Sequence, residues 1–110
     1  GRERSSLFNG RNKRHVRRMI YELILMPEAS KHLKEWRKSG QKKTLKKIAD
    51  LFEELRLHPK TGTGHVEQLK GNLTGFWSRE ISKGDRMIYT IEDDNVIVNV
   101  VSIKGHYGDK

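Results

Sequence analysis

The chain has 110 residues, no cysteine and a formal net charge of +9. That length suits one domain with one core, and the absence of thiols excludes disulfides and cysteine-based metal sites. No apolar run approaches the roughly 20 residues of a membrane-spanning helix, so no membrane role is expected and a reducing, cytoplasmic setting fits.

The charge is uneven. Residues 1–18, GRERSSLFNGRNKRHVRR, hold seven Lys/Arg against one Glu, a net of +6 that leaves +3 for the rest. This stretch has almost no apolar content and no hydrophobic segment of signal-peptide length. It reads as a basic extension, disordered or appended to the natural chain, with a nucleic-acid-binding arm as the rival reading. The folded domain is expected over residues 19–110.

Tyr21 to Met26 alternates and is rich in strand formers, which predicts a short strand. Pro27 suits the first position of a helix, where its missing N–H costs little. That helix should run to about Arg37, with Ala29, Leu33 and Trp36 on one face. Gly40 is placed to cap it. A second helix is expected from Lys42 to Leu57, with Leu45, Ile48, Leu51, Phe52 and Leu55 as its apolar stripe. His58–Pro59 stops it, because the residue before proline avoids helical angles. KTGTGH, residues 60–65, reads as a flexible loop; it lacks the spacing of a phosphate-binding P-loop.

From Val66 the period changes to two. Strands are expected near Glu67–Lys70, Thr74–Ile81, Arg86–Glu92 and Asn95–Ile103. Their short connections require antiparallel pairing. The fold class is therefore α+β: an N-terminal strand and a two-helix antiparallel hairpin on a mostly antiparallel sheet of four to five strands.

Alternation places Trp77, Arg79 and Ile81 on one strand face, and Arg86, Ile88 and Thr90 together on the next strand. A hairpin joins the two strands, so Arg79 and Arg86 should stand near its turn. His106 and Tyr107 follow the last strand, and Glu67 could complete a polar cluster at the rim of the sheet. Cleaving RNA through its own 2′-hydroxyl needs a base, a cation for the charge on phosphorus and an acid for the leaving oxygen. A carboxylate, an arginine and a histidine suffice, without metal or cofactor. A tyrosine can stack on an unpaired base. Each residue taken alone is more often a solvated, salt-bridged or incidental side chain. The five histidines form no HExxH motif.

The strings HPKTGTGHVEQLKGNLTGFWSREISKGDRMIY and SIKGHYGDK resemble the Txe/YoeB family of toxins in the RelE superfamily. GNLTGFWSREI and KGHY are the most specific parts. The resemblance implies a ribosome-dependent endoribonuclease that cuts mRNA in the A site, on a RelE-like fold. By motif position it makes Glu67 the general base, His106 the general acid, and Arg79 and Arg86 the phosphate-holding and transition-state arginines. Tyr107 would position the substrate nucleotide, and Lys70 would add a phosphate contact. Gly108, Asp109 and Lys110 extend past the point where family chains commonly stop.

The resemblance also implies an acidic Phd/YefM-type antitoxin as partner, the ribosome and mRNA as targets, and operator DNA reached only through the antitoxin. A homodimer is expected too, with Trp77 and the sheet edge as contacts. Two alternatives are a ParE-type toxin acting on DNA gyrase without cutting RNA, and a plain basic RNA-binding module. The joint presence of the Glu, the Arg and the terminal His-Tyr speaks against ParE.

Overall fold

The computed structural model describes residues 20–105. The basic extension over residues 1–18, and His106 and Tyr107 with the residues after them, lie outside the described residues. Strand β1 (Glu22–Leu25) leads into α1 (Pro27–Ser39) and α2 (Lys42–Leu57). Then come β2 (Glu67–Gln68), a single 3-10 turn at Gly71–Leu73, β3 (Trp77–Ser82), β4 (Asp85–Glu92) and β5 (Ile97–Ser102). The sheet order is β1-β5-β4-β3-β2. Only β1 against β5 is parallel; β5, β4, β3 and β2 run antiparallel in succession.

Both helices obey the sequence periodicity. Pro27 opens α1 and Gly40 caps it in a left-handed conformation. The second helix lies where the apolar stripe puts it. Four expected strands are shorter than their patterns, two of them for a local reason. β2 is cut to two residues because the chain turns at Gly71–Leu73, where Leu73 and Thr74 donate to the Lys70 and Gly71 carbonyls. β5 begins at Ile97 because Val96, in the preceding turn, takes a φ of 56°.

Alternate strand residues meet the helices in one core. Ile81 of β3, Met87 and Tyr89 of β4, and Val98 and Val100 of β5 pack on Ala29 and Trp36 of α1 and Ile48, Leu51 and Leu55 of α2. This puts both helices on one sheet face and leaves the other face open. Leu51 is fully buried, so Leu51→Ala should lower the unfolding free energy by about 2–5 kcal/mol. The exposed Lys46→Ala should change it by about 0.5 kcal/mol or less. Urea denaturation of the two variants checks the contrast.

Candidate active site

Strand register decides which polar side chains meet. Arg79 pairs with Met87, whereas Glu80 pairs with Arg86 and Ser78 with Ile88. Glu67 pairs with Ser78. Directly opposed residues share a face. Glu67, Ser78, Glu80 and Arg86 therefore lie together, on the side turned away from the helices. Arg79 lies on the helix side with Met87 and Tyr89.

The expectation that Arg79 joins Arg86 at an exposed phosphate site is thus corrected. Arg79 is completely buried. Its Nε donates to the Tyr89 hydroxyl at 3.0 Å. Nη1 donates to Glu54 Oε1 at 2.8 Å and to the Thr63 carbonyl at 3.4 Å. Nη2 donates to the His58 and Thr61 carbonyls at 2.5 and 2.6 Å. The five N–H donors of the guanidinium are all spent on protein oxygens. The Tyr89 hydroxyl in turn donates a hydrogen bond to the Pro59 carbonyl at 2.8 Å, and burial pushes its phenol pKa up, which keeps it a neutral donor. The sequence did carry a signal: Arg79 alternates with Trp77 and Ile81, two core residues.

Arg79 thus fastens the loop between α2 and β2. Thr63 adds bonds from its amide and hydroxyl to the Glu54 carboxylate at 2.9 and 2.8 Å. Only glycine fits two of the loop positions. Gly62 has φ +126°, and a Cβ there would lie 2.4 Å from Glu54 Oε1. Gly64 has φ +88°, and a Cβ there would lie 3.0 Å from the Glu80 carbonyl. Close approach lets the Glu80 amide donate to the Gly64 carbonyl at 2.5 Å.

The fastened loop delivers its last residues to Arg86. The Arg86 Nη2 donates to the His65 carbonyl at 3.2 Å, and it stands 3.6 Å from Glu67 Oε1. Its Nε donates to the Ser78 hydroxyl. The guanidinium is largely covered and the carboxylate largely free, at 17% and 65% exposure. Lys70 is exposed just past β2, and its ammonium makes no ion pair among the described residues.

The C-terminal approach is pinned from the other side. Ile103 donates its amide to His32 Nδ1 at 3.1 Å, and its carbonyl accepts from Trp36 Nε1 at 3.0 Å. His32 is therefore the tautomer with its proton on Nε2, 3.0 Å from the Glu28 carboxylate. Lys104 pairs with Glu35 at 2.8 Å. Gly105 donates to Asp85 Oδ1 at 2.8 Å and accepts from the Arg86 amide at 3.1 Å. The residue immediately before His106 is thus bonded to the backbone of Arg86. His106 and Tyr107 themselves lie outside the described residues. His65, Ser78, Glu80, His32 and Trp36 were not singled out as site residues from sequence.

The two-helix, five-stranded arrangement is the α+β fold of RelE-like toxins. Residues 25–107 match the family model of the YoeB-like toxins of bacterial type II toxin–antitoxin systems, and the chain belongs to that family. It is 38% identical over 84 residues to Toxin YoeB of Synechocystis sp., covering 76% of this chain and 95% of that one. A YoeB/ParE toxin from Agrobacterium tumefaciens superposes with a TM-score of 0.73 at 27% identity, over 78% of this chain and 99% of that one. The Staphylococcus aureus YoeB is 34% identical and covers 79% of this chain and 98% of its own, both as a dimer (TM-score 0.68) and in a heterotetrameric YoeB–YefM complex (TM-score 0.67).

Two consequences of the geometry can be measured. Arg79→Met removes one partner of a buried ion pair and should cost on the order of 3–5 kcal/mol, whereas Arg86→Ala breaks a partly covered pair with the exposed Glu67 and should cost less, about 1–2 kcal/mol; urea unfolding separates them. Glu54 also links stability to pH. Desolvation raises its pKa, but the Thr63 bonds and Arg79 outweigh this and hold it below the ordinary 4.5. A depressed carboxyl contributes stability that is present above its unfolded pKa and lost as pH falls through the folded one. Glu54→Gln should therefore flatten the fall of the urea midpoint below about pH 4.5.

Proposed function

We propose that this chain is an endoribonuclease that cuts mRNA in the ribosomal A site and so halts translation. The observation that carries this reading is the Glu67–Arg86 pair at 3.6 Å, with the chain leading to His106 bonded to the Arg86 amide. Glu67 is exposed enough to receive a proton, and Arg86 is fixed by Ser78 and His65 so that its position costs no reorganisation during reaction.

In this reading the Glu67 carboxylate takes the 2′-hydroxyl proton and the freed oxygen attacks phosphorus. Arg86 holds the added charge on the five-coordinate phosphorus. His106 protonates the departing 5′-oxygen as its bond to phosphorus breaks. The products are a 2′,3′-cyclic phosphate and a free 5′-hydroxyl. Tyr107 positions the nucleotide and Lys70 contacts a neighbouring phosphate. The ribosome holds the mRNA open and in register.

The folded unit acting this way is residues 19–110, in the cytoplasm, with the first 18 residues as an extension. An acidic segment of a YefM-type antitoxin would occupy the same basic surface, in keeping with the YoeB–YefM complex of the Staphylococcus protein, and operator DNA would be met only through that antitoxin. A homodimer is expected as in the Staphylococcus YoeB dimer.

Primer extension on mRNA from cells expressing the protein tests the reading. Codon-phased breaks are expected, and Glu67→Gln, Arg86→Ala and His106→Gln should each reduce them by about 10²–10⁴-fold with the fold intact. Intact mRNA alongside broken chromosomal DNA would point instead to a gyrase poison.

A further inference from the structure

A phosphodiester brings one negative charge to the site and gains more as phosphorus becomes five-coordinate, so cations facing it set both binding and rate. The site face has fewer than the sequence promised. Arg79 is buried and spent on the loop. On the described strands that leaves the Arg86 guanidinium against two carboxylates on the same face, Glu67 at 3.6 Å and its cross-strand partner Glu80. Among these described strand residues the carboxylates outnumber the guanidinium, and Lys70 lies beyond the end of β2.

His65 is the group placed to offset that excess. Its backbone sits in the left-handed region with φ 52°, which is uncommon for a residue with a side chain. The conformation is imposed from both sides. The carbonyl of Gly64, just before it, accepts from the Glu80 amide, and the His65 carbonyl accepts from the Arg86 guanidinium at 3.2 Å. The imidazole Nε2 then lies 3.6 Å from Glu80 Oε1, and the ring remains 84% exposed. A loop residue with no task at a left-handed position would be better served by glycine. An exposed imidazole fixed by the backbone beside Arg86 is a group held ready for a ligand.

We propose that His65 is a substrate-binding residue of this site: its imidazolium, seated against the Glu80 carboxylate, supplies a further positive charge to the mRNA backbone held at Arg86. The inference rests on the ribonuclease reading of the site. The charged groups facing His65 are Glu80 from β3, Arg86 from β4 and Glu67 from β2. Glu54 and Arg79 belong to the helix side of the sheet.

The test is single-turnover cleavage of mRNA on programmed ribosomes, followed by primer extension as a function of protein concentration. Wild type, His65→Ala and His65→Lys are compared. His65→Ala should raise the half-saturating concentration about tenfold, the worth of one charge-assisted bond. Its maximal rate should change much less. His65→Lys should keep tight half-saturation. An unchanged half-saturation in His65→Ala overturns the inference and leaves the ribonuclease reading standing. A defect that His65→Lys does not relieve overturns the charge assignment. Wild-type protein that leaves mRNA uncut overturns both.

Discussion

The buried guanidinium of Arg79 is the constraint on which the arrangement depends. Removing such a charge from water costs several kcal/mol unless every donor finds a partner. Here the partners are the Glu54 carboxylate, the Tyr89 hydroxyl and three carbonyls of the chain between His58 and Thr63. The charge can be accommodated only if that loop takes one conformation. A stretch whose composition suggests freedom becomes a rigid part of the domain, and its two closest approaches to α2 and β3 are made by glycines.

That rigidity sets the geometry around Arg86. The fastened loop enters β2 in a fixed register, so His65 presents its carbonyl to Arg86 and Glu67 its carboxylate. From the opposite direction, α1 and Asp85 hold residues 103–105 in place through His32, Glu35 and Trp36. Arg86 is where the two approaches meet. Its side chain takes the loop and its backbone takes the C-terminal segment. Two distant parts of the sequence converge on one residue of β4 without any contribution from the helix-side core beyond support. The same division explains why the conspicuous positive charge of the chain says little about the site, where Glu67 and Glu80 offset Arg86.

Much of this was legible in the sequence. The helices follow from Pro27, Gly40 and the apolar stripe of α2, and the change to a period of two after Val66 marks the meander. Glu67 and Arg86 were identified by motif and lie together. Arg79 was misplaced, although its alternation with Trp77 and Ile81 already pointed inward. What overruled that signal was the family resemblance, which by motif position made Arg79 a phosphate-holding arginine. The buried-side partners, Glu54 and Tyr89, sit on separate elements with no sequence signature linking them. His65 was hidden for another reason. Its value comes from a left-handed backbone angle and from a carbonyl, neither of which residue identity reports.

The most direct test of the central claim is hydrogen exchange in Arg79→Met at neutral pH. Thr63 and Glu80 amides, bonded to Glu54 and to the Gly64 carbonyl, should lose most of their protection while the amides pairing β4 with β5 keep theirs. Thr63 and Glu80 amides as slow to exchange in the variant as in the native chain would contradict the account.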